Sequence, residues 1–186
     1  MALTPTNAAM GPGTVYVGLF GATEPTGMAA PGVGFTDVGG TLGGTKVSFE
    51  QASKELEFDQ LTMPVGYRRT KTGIIVKVTM AEVTLSNFKI AMNDGTLTSA
   101  SGYTSYTPDV SALNTGTEPT YRAVIVDGAG IGGETRRLIV RKVFSTDNVE
   151  LEYTKDGQQV FAVTFTGMYV SSSIAPYETR QTEIGS

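Results

Sequence analysis

Glu55, Glu57 and Asp59 are the nearest approach to a catalytic constellation in this chain of 186 residues. Two carboxylates can cleave a glycosidic bond when they stand on opposite sides of it, one as acid and the other as base or nucleophile. At i, i+2 spacing on a strand, however, all three point the same way, and a row of this kind suits a hydrated or acidic wall better than a substrate-spanning pair. The chain has no histidine and no cysteine. It therefore lacks the usual general base, the commonest transition-metal ligand, a thiolate nucleophile and any disulfide. Tryptophan, a favoured sugar-stacking side chain, is absent too. The remaining acids and bases are Asp, Glu, Lys and Tyr, and no acid–base set falls at a credible spacing. The expectation from these residue types is a protein that is not an enzyme and has no transition-metal site.

Two glycine-rich stretches invite a phosphate-binding reading. Gly128-Ala129-Gly130-Ile131-Gly132-Gly133 fits G-x-G-x-x-G after a strand, but a dinucleotide site needs a helix next. Here Arg137-Leu138-Ile139-Val140-Arg141-Lys142-Val143-Phe144 follows, which alternates like a strand, so the glycines are expected to form a strand connection. In residues 39–46 the lysine does not follow a glycine directly and no Ser or Thr follows it, which rules out a P-loop. Arg68, Arg69 and Lys71 form a small basic cluster. With carboxylates elsewhere on the chain, such a cluster suits contact between copies.

The elements that would position these groups are mostly strands. Residues 73–81 alternate, with Ile74, Val76, Val78 and Met80 on one face and Ile75, Lys77, Thr79 and Ala81 on the other. A short helix is expected after them, with Thr84 as N-cap, Val83 and Phe88 as a hydrophobic staple, Glu82 near the positive end of the dipole, and Asn93-Asp94-Gly95 as the stop. Residues 45–50 and 55–60 read as a hairpin whose polar face carries Lys46, Ser48, Glu50, Glu55, Glu57 and Asp59. Four carboxylates beside one lysine repel one another across a ladder, so this face is expected to be well hydrated. Residues 61–72, with Met63, Pro64 and the basic cluster, read as a loop long enough to reach a neighbour. Residues 96–119 are a polar, low-complexity loop. Further strands are expected at 15–20, 121–127, 136–144, 149–153 and 160–169, with a turn at Lys155-Asp156-Gly157-Gln158. The tally is about seven strands and one helix: a mainly β chain, a two-sheet β-sandwich or barrel with one flanking α-helix. Residues 1–13 form an N-terminal arm, 14–170 the domain and 171–186 a polar C-terminal tail.

Net charge is −4, which argues against a protein that grips the outside of nucleic acid with a basic face. The first seven residues have neither the basic nor the apolar region of a signal peptide. No apolar run approaches the roughly 20 residues of a membrane span. The chain is expected to be made in a cytoplasm.

Several segments taken in order resemble the major tail tube proteins of long-tailed, siphovirus-like bacteriophages. These are Asp37-Val38-Gly39-Gly40-Thr41-Leu42-Gly43-Gly44-Thr45-Lys46-Val47-Ser48-Phe49-Glu50, then Leu61-Thr62-Met63-Pro64-Val65, then Ala81-Glu82-Val83-Thr84-Leu85-Ser86-Asn87. The likeness spans residues 14–170 and rests on their order. It implies a β-sandwich with one helix that forms homo-hexameric rings stacked into a hollow tube. Genomic DNA passes down that tube without specific binding. The implied place is the virion tail, after assembly in the host cytoplasm. The implied partners are the tape measure, tail terminator and tail tip proteins, with no catalytic residue and no cofactor. Six subunits giving four strands each, at ~4.8 Å spacing and ~40° tilt, close a barrel of roughly 50 Å. A basic wall would hold DNA and an acidic one lets it slide, so Glu50, Glu55, Glu57 and Asp59 are expected to face the lumen. Met63, Pro64, Arg68, Arg69 and Lys71 are expected at a subunit or ring interface. Two other readings stand beside this one. A carbohydrate- or surface-binding sandwich would need Tyr103, Tyr106 and Tyr121 as an aromatic platform. The tube of a secretion or contractile-injection system would share the architecture and carry protein.

Overall fold

The structure, a computed structural model, describes residues 11–109, 118–153 and 155–182. In chain order its elements are β1 (Thr14–Leu19), β2 (Phe35–Asp37), β3 (Lys46–Leu56), β4 (Gly66–Met80), α1 (Leu85–Ala91), β5 (Thr96–Ala100), β6 (Tyr103–Thr107), β7 (Arg122–Ala129), β8 (Thr135–Ser145), β9 (Phe161–Gly167) and β10 (Tyr177–Gln181). The expected class holds: a mainly β chain with one helix and two sheets.

The larger sheet runs β2-β1-β7-β8-β9-β4-β3, all antiparallel, and β10 adds to β8. β8 is where it divides. Leu138 and Val140 pair with β10, whereas Val143 to Ser145 pair with β9. The sheet can therefore fold over on itself, and Phe49 of β3 meets Tyr177 of β10 at 5.3 Å between ring centroids. An isolated bridge from Thr41 to Met80 ties the stretch after β2 to the far end of β4.

The alternation in β4 explains the core. Ile74, Val76, Val78 and Met80 are buried, and they pack with Val15 and Val17 of β1, Val124 of β7, Val140 and Val143 of β8, and Phe161, Val163 and Phe165 of β9. Ile90 and Ala91 of α1 close one end. Fully burying each such side chain is worth ~1.5–3 kcal/mol before the entropy of ordering is set against it. A second, smaller cluster of Phe35, Ala123, Ile125 and Ile139 lies on the other face of the sheet. The 20–34 connection is anchored on that side by arginines of β8 and β10. Arg137 donates to the Ala29 carbonyl, Arg180 to those of Pro25 and Gly27, and Arg141 binds the Glu24 carboxylate.

Several sequence expectations need correction. Residues 45–60 do not form a hairpin. β3 is one continuous strand, and its partner is β4. The segment 51–54 contains none of the glycine, proline, asparagine or aspartate that tight turns favour, whereas Asp59 and Pro64 do lie in the observed turn over 57–65. The 61–72 "loop" is a strand from Gly66 onward. Residues 96–109 hold the β5–β6 hairpin, and 110–117 lie outside the described residues. Residues 149–153 are not a strand, so the turn at 155–158 joins no hairpin. The 171–186 tail supplies β10 to the main sheet, with 183–186 outside the described residues, as are the first ten residues of the expected arm.

The strand-to-helix joint is largely as expected. Thr84 is the N-cap, and its Oγ1 accepts from the Asn87 amide at 3.1 Å. Glu82 serves differently, because its carboxylate accepts from the Gly40 amide at 2.9 Å instead of sitting in the first helical turn. Gly39, at φ +80, leaves room that a Cβ would take from the Glu82 carboxylate. The glycine-rich stretch that superficially resembles a phosphate loop thus cradles an anion of its own chain. Phe88 packs on Phe161 and Tyr106, while Val83 is exposed.

Candidate assembly interface

β9 covers β4 only from Ile75 to Met80. Before that point β3 and β4 pair only with each other among the described residues, so residues 50–73 form a two-stranded arm. From Gly73 back to Gly66 it extends roughly 20 Å at ~3.3 Å per residue. Within it, every residue of 51–65 and 67–72 is exposed. An arm with two wet faces gains little from burial. It is held by its ladder and a few cross-strand contacts: Tyr67 Oη donates to Glu55 at 2.9 Å and Lys71 Nζ to Glu50 at 3.0 Å. Both members of the Lys71–Glu50 pair are well exposed, so the pair contributes little to stability. Thr70 is an extra residue where the register shifts between Ala52 and Ser53, and its hydroxyl donates to the Ala52 carbonyl. A bulge of this kind bends and twists a ribbon.

The register decides which predicted site residues stand together. Directly opposed residues share a face. Lys46, Ser48, Glu50, Ala52, Lys54 and Leu56 of β3 therefore lie with Lys77, Ile75, Gly73, Lys71, Arg68 and Gly66 of β4. The opposite face carries Val47, Phe49, Gln51, Ser53 and Glu55 with Val76, Ile74, Thr72, Arg69 and Tyr67. Glu50 and Glu55 are thus on opposite faces of the ribbon, and Glu57 and Asp59 belong to the turn. The expected row of four neighbouring carboxylates is not formed. The physical reason is the continuous β3: an odd number of residues separates faces, and no turn intervenes to reset the alternation. The face that holds Glu50 carries five cations instead.

The basic cluster is divided in the same way, with Arg68 and Lys71 on one face and Arg69 on the other. Met63 and Pro64 stay in the turn, Met63 76% exposed. Sequence reasoning passed over the turn's apolar character. Leu56, Phe58, Leu61, Met63, Val65 and Tyr67 are all exposed large side chains gathered at one end of one hairpin. Monomeric soluble proteins rarely present such a patch unless something covers it. Their clustering within twelve residues was legible, but only a correct hairpin register brings them to one tip.

β3 also leaves its outer edge open, with eleven residues paired on one side only among the described residues. A long open edge is a template for another strand. The aromatic platform imagined for a glycan is not assembled. Tyr103 is exposed, Tyr106 packs edge-on to Phe88 with its hydroxyl on the Asp94 carbonyl, and Tyr121 takes Lys142 on its ring face. The glycine run after β7 is a single 3-10 turn at Ile131–Gly133 leading straight into β8, as its β-rich sequel implied. Among the described residues no group of acidic side chains is placed to hold a metal ion, and no helix is long and apolar enough to cross a membrane.

None of the curated proteins matches the chain. The family model described as phage tail tube protein matches residues 2–177. That match spans nearly the whole chain, including the β3–β4 arm, the helix and the first residue of β10. The chain belongs to the phage tail tube protein family.

Proposed function

We propose that this subunit forms hexameric rings that stack into a hollow tail tube through which genomic DNA passes to the host. The observation that carries the reading is the β3–β4 arm. It is a projecting, apolar-tipped hairpin beside an open strand edge, and nothing among the described residues covers it. A surface of this kind is a liability in a monomer and a means of joining in a polymer. Family membership supports a structural role in the virion tail, with self-association as its chemistry.

The sheet formed by β3, β4, β9 and the end of β8 supplies four strands, the number that a ring of six would need to close a barrel of roughly 50 Å. Its solvent face carries Lys46, Ser48, Glu50, Ile75, Lys77 and Thr166. In this reading that face lines the channel, with Glu50 on the same face as Lys46 and Lys77, so the wall is of mixed charge and not the acidic one expected. Glu55, Glu57 and Asp59, the other acidic residues expected at the lumen, extend along the arm toward its tip. Met63, Pro64, Arg68, Arg69 and Lys71 then lie where subunits or rings meet.

Negative-stain microscopy of the concentrated purified protein tests the function. Rings or hollow filaments are expected, and a persistent monomer that binds a glycan array would replace this reading with a binding module. Replacing Arg68, Arg69 and Lys71 together by Ser is expected to abolish filaments while leaving the melting temperature of the subunit nearly unchanged. In a reconstructed tube, a Glu50 side chain on the outer wall would remove it from the channel.

A further inference from the structure

We propose that the cationic face of the β3–β4 arm docks on the acidic segment 147–156 of a second copy, setting a head-to-tail polarity. The inference rests on the self-assembly reading above and names the surface that receives the arm. Lys54, Arg68 and Lys71 share one face of the arm, with Glu50 as the one carboxylate at its base. Lys54 and Arg68 are exposed and take part in no ion pair among the described residues. Leu56, 48% exposed, adds an apolar group to the same face.

The opposite charge stands at the other end of the same strands. Asp147, Glu150, Glu152 and Asp156 are exposed, likewise without an ion pair among the described residues, with Lys155 as the single cation between them. Leu151 and Tyr153 are exposed beside them, Tyr153 at 79%. This segment leads into Phe161, and Phe161 is paired with Met80, the last residue of β4. Arg68 and Met80 are twelve positions apart on β4, about 40 Å at ~3.3 Å per residue. The two charged surfaces therefore cannot meet within one chain. They meet between copies displaced along β4, and a contact between unlike surfaces propagates instead of closing a pair. Two arms brought face to face repel, as do two acidic segments, so the same charges exclude the reversed arrangement. Glu57 and Asp59 lie in the turn beyond the cationic face, which makes the side of the ribbon the docking surface and leaves its tip free for apolar contact.

Charge reversal tests the pairing. Lys54→Glu with Arg68→Glu reverses the arm, and Glu150→Lys with Glu152→Lys reverses the segment. All four positions are exposed, and circular dichroism with thermal melting checks that each variant keeps the fold. Each double variant is expected to raise the critical concentration for assembly, read by sedimentation and negative stain, by at least about tenfold. The quadruple variant is expected to return to near the wild-type value, and an equimolar mixture of the two doubles to co-assemble. Raising salt is expected to weaken wild-type assembly, because exposed charges are screened beyond about 8 Å at physiological ionic strength. Double variants that assemble like wild type, or a folded quadruple variant as deficient as the doubles, would overturn this pairing and leave the tube reading standing. Wild-type protein that never assembles would sink both.

Discussion

Asn93 shows how much one side chain decides here. It is buried, sits at φ +63, and follows the last turn of α1. Its Oδ1 accepts from the Ser145 amide at 2.8 Å, and its Nδ2 donates to the Ser145 carbonyl at 2.9 Å. The side chain thus imitates a neighbouring strand for the last residue of β8. Asn tolerates the left-handed conformation better than most residues, so one residue both ends the helix and satisfies two buried backbone groups. Asn93→Ala is expected to cost about 2–4 kcal/mol, because both groups of Ser145 lose their partners. Asn93→Gly relieves the backbone but not the lost bonds, and should recover about 1 kcal/mol of that. Urea unfolding checks both, with a fall in the midpoint at an unchanged m-value. Equal stability of the Ala and wild-type proteins would remove Asn93 from this role. The stop at Asn93-Asp94-Gly95 was legible in the sequence; the partner, 52 residues away, was not, because nothing local marks Ser145.

Glu178 makes the same point for charge. The guanidinium of Arg180, then that of Arg141, hold its carboxyl down to about 2 from an ordinary value of 4.5. A carboxyl depressed in the folded state adds stability that is complete above the unfolded value and is lost as pH falls toward the folded one. Its side chain is 40% exposed, so solvent screening keeps the contribution to about 1 kcal/mol or less. Glu178→Gln is expected to melt below wild type at pH 7, with the gap closing between pH 4.5 and 2. A gap that stays constant across that range would show that the carboxylate charge is not what matters.

At the scale of elements, the longer strands that bury one face could be read, whereas the three-residue β2, inside a 21–44 stretch that reads as a loop, and the strands that bury neither face could not. β4 from Ile74 to Met80 announces itself because Ile74, Val76, Val78 and Met80 sit on one side of a pleat. Val78→Asp places a charge at a position 2% exposed inside that cluster, with no partner described there. It is expected to leave the chain unfolded, since an unpaired buried charge exceeds the whole margin of a typical domain. A cooperative melt near the wild-type temperature would contradict this. The arm gives the opposite case. From Gln51 to Leu56 and from Tyr67 to Thr72 both faces are wet, so hydrophobic periodicity says nothing and register is only weakly specified. What remained were strand-prone residues, Tyr67, Thr70 and Thr72, and a turn marked by Asp59 and Pro64. The β5–β6 hairpin was hidden for a similar reason, being built from Thr, Ser and Tyr with little burial. β10 was missed because its five residues alternate between charged and polar side chains and find their place on β8 only through the ion pairs and pairing register of the folded sheet.

At the scale of the whole molecule, the proposed reading gives folding and assembly to different parts of one strand pair. The core ends near Gly73, since Ile74 is buried and Thr72 is exposed. Everything outward of that boundary contributes surface and no interior. A subunit in which residues 52–71 are replaced by Asn-Gly, joining Gln51 to Thr72 where the two already lie opposite each other, keeps the entire core. A two-residue turn of this type matches the twist of the strands it joins. The shortened protein is expected to remain a folded monomer and to form no filaments. Its midpoint in urea should lie close to that of wild type, because the deleted ribbon buries almost nothing, and its m-value should be slightly smaller. Mixed with wild-type subunits, it should cap growing ends and shorten filaments in proportion to its share, since it offers a receiving surface but no arm. Loss of the folded state would mean that the arm helps to hold β3 against the body. Filaments of normal length from the shortened protein alone would place the assembly contacts elsewhere, on the open edge of β3.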